Sequence, residues 1–377
     1  MAPRKRKRSE NTSQEDTDIT ASIPDLLVRD DTYYRENGDC VIRVGSVLFK
    51  IHRILLERDA SAFLNMFSMP QGNDPALANS DNDPLVLFDD VDDFRALCWI
   101  IYALPTVYMQ QSKLETADMK NLVSLYLIAQ KYHFDAHESF ARDLLRQHCS
   151  AIQAGSSPNP NYLFSCPESR LEDMLRIAAF TEETSVADAE SFLFVLQKVW
   201  IIRLKDTNES AAFALGVGEE LGLRDFMAGL YYLELTRMKS ELVEGSTAYV
   251  HPVSDLTPHQ KLILYQGYWS LRQYWIRRWD LLQKKSLNCS DKTEHACRFI
   301  WQASWERFKA DEFSSDTFDP LQLLANIASN INEYGAEWSE TKKPHCAIRA
   351  IEKMQVSLKK NLAEHFLGPL PSSSSDA

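Results

Sequence analysis

The segment 38–67 constrains the fold of this chain most strongly, because its hydrophobic period changes within a short stretch. Cys40–Val44 and Val47–Ile51 are rich in β-branched and apolar residues and flank a Gly-Ser pair, which predicts a hairpin with a two-residue loop. From Ile54 the apolar residues recur at helical spacing, and Ser61 is a candidate N-cap. The segment therefore predicts a hairpin that leads directly into helices, which is not how a phosphate-binding loop or a nucleophile elbow begins.

The residues that follow predict one more strand and one more helix. Leu85–Phe88 has the pattern of a short strand between a proline and an acidic pair. Asp92 or Asp93 can cap a helix that Pro105 ends. The predicted apolar face of this helix consists of Phe94, Leu97, Cys98 and Ile101.

The order of these residues resembles the BTB/POZ family of protein-interaction domains. The resemblance covers about Asp30 to Cys149, under half of the chain, and the layout is most similar to fungal members with a long helical C-terminal part. The matching residues are Gly38-Asp39 before the first strand, Phe49 and His52 at the end of the second, Leu55-Leu56, Ser61, Phe63, Met66-Phe67, and Ala129–Tyr132 with His133 and Phe134.

The resemblance and the hydrophobic pattern together predict an α+β fold. A small BTB/POZ-like domain, with a short hairpin and strand beside a helical cluster, is followed by a mostly α-helical C-terminal region. We expect a disordered basic and acidic tail over 1–22, the BTB/POZ-like domain over 30–150, a linker over 151–160, a helical domain over 161–368 and a disordered tail over 369–377. Helices of the second half are predicted at Leu171–Ala179, Ala187–Leu204, Ala211–Leu221, Phe226–Leu235, Pro258–Leu282, Cys297–Phe308, Leu321–Tyr334 and Ala347–Leu362.

Length and composition indicate a globular protein of an intracellular, reducing compartment. The chain has 377 residues with 45% apolar and 25% charged residues, enough for two domains with a sizeable core. No apolar run reaches the ~18 residues that span a bilayer, and no signal peptide is visible. The seven cysteines are scattered and odd in number, which argues against a disulfide framework.

The charge of the chain argues against direct nucleic-acid binding, except at its basic start. The formal net charge is −12, which disfavours contact with phosphates. Five consecutive cations near the N-terminus nevertheless form a candidate nuclear-import address, which predicts a nuclear or nucleocytoplasmic protein. The alternative is a solvated tail without an address. These residues are Arg4, Lys5, Arg6, Lys7 and Arg8.

Two polar residues of the hairpin region each have two interpretations. His52 could act as a ligand or base, but a histidine at the boundary of a strand and a helix is expected to bond a backbone group. Asp39 is either a turn residue after Asn37-Gly38 or, as the resemblance implies, part of the pocket at the family's dimer interface.

A scattered set of cysteines and histidines in the second half carries a zinc hypothesis. Cys289, His295, Cys297 and Cys346 are residue types that zinc accepts, and four ligands would close a structural site. The spacing departs from the usual cysteine pairs, and Cys297 lies beside apolar residues where a buried thiol is ordinary. The favoured interpretation is therefore no metal and no cofactor.

Two further motifs receive structural interpretations. The glycines at 216, 218 and 222 have the wrong spacing for a dinucleotide loop and follow no predicted strand. Aromatic and basic residues alternate between Tyr265 and Trp279, as in single-strand nucleic-acid binding. Because Tyr268, Trp275 and Trp279 recur at helical steps, with Trp269 at the edge of the same stripe, we predict a core face instead.

The function expected from the sequence is non-enzymatic protein binding. The resemblance implies a self-associating homodimer or homo-oligomer that acts as a scaffold or transcription co-regulator, with no small-molecule substrate and no membrane. It also implies a second candidate function, a substrate adaptor for a cullin-based ubiquitin ligase. A structural-zinc protein or an uncharacterised enzyme is the third. The apolar residues predicted to support the first half are Val41, Phe49, Leu56, Phe63, Phe67, Leu97, Ile101 and Leu125.

Overall fold

The computed structural model describes most of the chain and divides it into two compact units. One unit ends at Ile101 and the other begins at Tyr102, inside the domain that the sequence predicts over 30–150. The predicted tail 1–22 and most of the predicted tail 369–377 lie outside the described residues. The described residues are 27–68, 80–156, 162–181, 191–238, 241–242, 249–250, 255–284, 301–302, 318–336 and 345–370.

The first unit combines a four-stranded sheet with short helices, which confirms a mixed α+β fold. The order of the strands is β1-β3-β2-β4, with β2 and β3 antiparallel and the two outer pairs parallel. Its elements are β1 (Val28–Tyr34), β2 (Cys40–Val44), β3 (Val47–Ile51), α1 (Arg53–Leu56), a 3-10 turn (Arg58–Ala60), α2 (Ala62–Ser68), β4 (Leu85–Leu87) and α3 (Val91–Ile101).

The predicted hairpin is confirmed, with both strands at the predicted bounds. Gly45 has φ +57°, which is the left-handed conformation that a two-residue loop requires. Gly38 is needed for a different reason, since a Cβ atom there would lie 2.9 Å from the backbone of Lys50 and Ile51. These two glycines allow β2 and β3 to pair from Cys40 opposite Ile51 to Val44 opposite Val47.

Strand β1 was not predicted, and a buried carboxylate explains how it is held. Asp30 accepts hydrogen bonds from the amides of Thr32 and Tyr33, at 3.1 and 2.8 Å. It also accepts from Nε of Arg95 on α3, at 2.8 Å, and its side chain is only 3% exposed. The sequence pattern does not indicate a strand here, because Asp30 is charged and its partner Arg95 lies 65 residues away.

The core of the first unit agrees with the predicted apolar residues that it contains, whereas Leu125 is buried in the second unit. Phe49 and Phe94 pack edge to face with ring centroids 4.8 Å apart, and the predicted face of α3 is buried. Phe67 is the exception among the predicted core residues, since it is only half-buried. The N-cap prediction for α3 was wrong: Asp90, and neither Asp92 nor Asp93, accepts from the first amides of the helix.

The described part of the second unit consists of helices and one small hairpin. Its helices, in order, are α4 (Pro105–Gln111), α5 (Met119–Lys131), α6 (Asp135–Gln153), α7 (Tyr162–Ser165), α8 (Glu168–Thr181), α9 (Phe192–Thr207), α10 (Ala212–Leu221), α11 (Arg224–Arg237), α12 (Pro258–Lys284), α13 (Pro320–Ala336), α14 (His345–Lys360) and α15 (Leu362–Leu367). Strands β5 (Glu241–Leu242) and β6 (Tyr249–Val250) pair antiparallel.

The centre of the second unit is α9, as its apolar sequence predicts. Ser191 caps it by accepting from the amide of Phe194, and Trp200 is fully buried. Arg203, which interrupts the apolar run, donates to the carbonyls of Leu163 and Cys166 at the end of α7. The guanidinium therefore satisfies helix-end carbonyls that are buried.

The predicted helices of the second half are confirmed where the structure describes them. Most of Cys297–Phe308 lies outside the described residues, whereas the other predicted helices overlap α8 to α14. Gly222 ends α10 at φ +66°, and Gly218 lies inside that helix. A Cβ atom on Gly218 would lie 2.8 Å from Met227, so this glycine permits close packing of α10 on α11. No described helix is both long and apolar enough to cross a membrane.

Candidate functional site

The residues that carry the family resemblance divide into a buried and an accessible group. Phe49, Leu56 and Phe63 are fully buried and so support the fold without touching a partner. His52 is half-buried at the boundary of β3 and α1, where it is the N-cap residue of the helix. Asp39 is exposed. Only the second group can take part in a binding surface.

Asp39 connects the start of β2 to the start of α1. Its amide donates to the carbonyl of Ile51, and its Oδ1 accepts from the amide of Arg53 at 2.6 Å. A carboxylate at this position accepts a hydrogen bond from an amide that has no acceptor within the helix, and its negative charge complements the helix dipole. The structure therefore assigns Asp39 a capping role, beyond the turn that its sequence context predicts.

Arg53 connects α1 to α2. It forms an ion pair with Glu57 at 2.7 Å, donates to the carbonyl of Phe67 at 3.2 Å and lies over the Phe67 ring, 4.5 Å from its centroid. The same two helices expose apolar side chains, since Ile54 is 70% and Leu64 is 42% exposed. We refer to Ile54 and Leu64 as the helix surface.

Strand β4 provides a second apolar surface. Among the described strands it is an edge strand, paired only with β2, and Leu87 points to the core. Val86 is 46% and Phe88 is 92% exposed, and these two residues alternate with Leu87 as strand geometry requires. We refer to Val86 and Phe88 as the edge surface. The sequence predicted the strand but not which of its residues face solvent.

The opposite edge of the sheet, β1, carries charged and polar side chains beside the exposed Val28. Asp81 accepts from Arg29 at 2.6 Å and from the hydroxyl of Tyr34 at 2.5 Å, and Arg29 lies 4.5 Å from the centroid of the Tyr34 ring. The hydrogen bond from Tyr34, followed by that from Arg29, lowers the pKa of Asp81 below its usual value. Charged side chains on an edge strand disfavour pairing with another chain. Of the two edges, β4 is therefore the one suited to a partner.

Four buried cysteines of the described residues are poor nucleophiles. Burial raises the pKa of Cys40 and of Cys149 to about 12 and also raises that of Cys98 and Cys166, so these thiols are protonated near neutral pH. Within the described ranges no three metal-ligating side chains come together.

The zinc hypothesis and the import address lie largely beyond the described ranges. Cys289, His295 and Cys297 fall outside them, while Cys346 is half-buried on α14. Residues 4–8 also fall outside them. Both hypotheses therefore stay predictions.

The aromatic stripe of α12 differs from the predicted core face. Trp275 is buried, but Trp269, expected at the edge of the same stripe, is 63% exposed. The buried face runs instead through Leu264, Gly267 and Leu271, at steps of three and four residues. The prediction failed because large aromatic residues occupy two sides of this helix. The side chain of Trp279 lies outside the described ones.

A shallow groove of about 380 Å³ lies on α14 and carries positive charge. Three cations and one acidic residue line it beside Val356, which is 66% exposed; they are Arg349, Lys353, Lys360 and Glu352. In a chain of net charge −12, this is a local surface that attracts anionic groups.

No known protein family, no curated protein and no solved structure matches this chain.

Proposed function

We propose that this chain is a BTB/POZ-type protein-interaction protein without enzymatic activity, and that its first unit self-associates. In this proposal it acts as a scaffold or transcription co-regulator. The observation that carries the proposal is the edge surface, because Phe88 is 92% exposed directly after an edge strand. An exposed apolar edge of this kind is a template for pairing with another chain.

The topology of the first unit supports the family resemblance. The hairpin β2–β3 is followed by α1 and α2, after which β4 returns beside β2 in a parallel orientation. This is the order of elements that the resemblance implies. Three of the matching residues, Phe49, Leu56 and Phe63, form the buried core that such an arrangement needs.

The proposed mechanism is isologous pairing of two copies through the edge surface. In a two-fold dimer the same patch serves both partners, so Phe88 of each copy is buried against the other. Full burial of a phenylalanine side chain contributes about 1.5–3 kcal/mol, and pairing of the β4 edges would add main-chain hydrogen bonds. Such a surface is sensitive to a single charge at its centre.

The test uses two differently tagged copies of the full chain, expressed together. We expect one tag to recover the other, and Phe88→Lys in both copies to lower this recovery strongly. Phe180→Lys is the matched control, because Phe180 on α8 is 86% exposed in the second unit. Equal recovery from the Phe88→Lys and wild-type chains would refute the edge surface as the contact.

A second candidate function, substrate adaptor of a cullin-based ubiquitin ligase, is favoured by the helix surface. Ile54 is 70% exposed on α1 and offers an apolar contact separate from β4. In this alternative the second unit would receive the substrate. Purified cullin should then bind the wild-type chain and lose binding to Ile54→Glu, whereas absence of binding to the wild-type chain would remove this candidate.

The nuclear location is part of the proposal and depends on residues 4–8. Deletion of 1–9 should shift a fluorescent fusion of the chain from the nucleus to the cytoplasm. An unchanged nuclear signal would remove the co-regulator version, while the scaffold version would remain testable by the tagged copies.

A further inference from the structure

Helix α12 has two apolar faces on opposite sides. The inner face is buried at Leu264, Leu271 and Trp275, and Gly267 on this face lies so close to α15 that a Cβ atom would be 1.9 Å from the ring of Phe366. The outer face, about 140° away at 100° per residue, carries exposed apolar side chains. They are Leu262 at 65%, Trp269 at 63% and Ile276 at 47% exposure.

The outer face has one apolar residue per heptad, half of the two that a complete coiled-coil seam carries. Leu262, Trp269 and Ile276 follow one another at steps of seven residues, which keeps them on one stripe when two helices wind around each other. An amphipathic surface helix normally has one apolar stripe and a polar opposite side. The second apolar stripe of α12 is therefore a surface on which another helix can pack.

The size of the stripe fits a weak, reversible contact. From their exposed fractions, the three side chains present on the order of 350 Å² of surface, comparable to the largest apolar patch of an ordinary monomer and often functional. Two such stripes together bury about 700 Å², less than the roughly 1,600 Å² of a standard stable interface. The contact is thus suited to assembly at high local concentration.

The symmetry of the stripe points to a second copy of this chain as the partner. Leu262 and Ile276 lie at equal distances along the helix on either side of Trp269. When two α12 helices lie antiparallel about a two-fold axis at Trp269, each Leu262 faces the Ile276 of the other copy. The two tryptophans then meet at the axis, where aromatic pairs add about 0.5–1.5 kcal/mol beyond their burial. An isologous contact requires a self-complementary patch of this kind.

We propose that the outer face of α12 is a self-association surface, on which α12 of a second copy lies antiparallel about Trp269. This surface belongs to the second unit and is independent of the edge surface of the first. A chain with two separate self-association surfaces can form assemblies larger than a dimer, as a scaffold that gathers several partners requires.

The test is site-specific cross-linking of the full chain with a short bis-maleimide reagent. Two single variants, Leu262→Cys and Ile276→Cys, are treated separately and as an equimolar mixture, and cross-linked peptides are identified by mass spectrometry. We expect the 262–276 link in the mixture at least tenfold above any 262–262 or 276–276 link. The wild-type chain, treated in parallel, identifies links from native cysteines.

Two outcomes would overturn the proposal. Self-links at 262 and 276 would indicate a parallel pair, and absence of all three links at protein concentrations near 100 μM would indicate that α12 binds no second copy. A second measurement uses Trp269→Glu, which should lower the apparent mass of assemblies at high concentration, with Val356→Glu on α14 as the matched exposed control. Repeating the cross-linking in a Phe88→Lys background separates this surface from the edge surface, since the 262–276 link should persist there.

Discussion

Asp30 gives the sharpest stability test of the first unit, because its buried carboxylate accepts hydrogen bonds both from amides of β1 itself and from Arg95 on α3. Asp30→Ala removes its hydrogen bond to the Arg95 guanidinium and leaves the half-buried amide of Tyr33 without its acceptor. Both are hydrogen bonds to the charged carboxylate, and such bonds contribute about 1.5–3 kcal/mol each. Because the Arg95 side chain is 43% exposed, we take the lower end and expect a loss of about 2–3 kcal/mol.

The assay is hydrogen exchange measured by mass spectrometry on peptides that cover β1. A loss of 2–3 kcal/mol increases the opening equilibrium by roughly 30- to 150-fold, because each 1.4 kcal/mol is a factor of about ten. Asp30→Asn keeps an oxygen acceptor and should give a smaller increase. Asp31→Ala is the matched control on the same strand, where the residue is exposed. Equal exchange from the Asp30→Ala and Asp31→Ala chains would refute the role of Asp30.

Three further predictions concern helix packing, pH and thiol reactivity. Gly267→Ala should lower the free energy of unfolding by about 1–3 kcal/mol, because its Cβ atom would lie 1.9 Å from an aromatic ring of α15. Gly216→Ala has open space around it and should instead stabilise α10 by up to about 1 kcal/mol. Urea unfolding compares the two variants, and an equal effect would contradict the close packing at Gly267. Burial lowers the pKa of His148, so the unfolded chain binds a proton before the folded chain does as the pH falls. The contribution of His148 to stability should therefore be greatest above about pH 6.5 and decline with falling pH until the folded-state pKa is reached. His148→Gln should flatten this part of the pH–stability curve. Iodoacetamide at pH 8 should leave Cys40 and Cys149 unlabelled in the native chain and label both in denaturant, and rapid native labelling would show that these thiols are accessible.

Local patterns in the sequence were sufficient for the hairpin, for β4 and for the helices of the second half. These elements follow from period, turn glycines and β-branched runs over a few residues, and the structure places β2 and β3 at the predicted bounds. Strand β1 was missed because its stability depends on the distant partner Arg95. The N-cap of α3 was assigned to Asp92 or Asp93 because a run of acidic residues offers several equivalent candidates.

The surfaces were harder to predict than the core. Phe49 and Phe63 are apolar at the right spacing, and the structure buries them as predicted. Phe88 and Trp269 are equally apolar but exposed, and composition cannot distinguish the two cases. Which apolar residue faces solvent depends on which neighbours the fold supplies. The candidate binding surfaces of this chain therefore became visible only in the structure.

The central claim is that two copies associate through the edge surface of the first unit. Sedimentation equilibrium of the full chain carrying Trp269→Glu tests it most directly, because this substitution removes self-association through α12. The account predicts a mass near twice the 43.2 kDa of one chain, and a return to 43.2 kDa when Phe88→Lys is added. A monomer in the Trp269→Glu background, or a dimer that Phe88→Lys leaves intact, would contradict self-association through the edge surface.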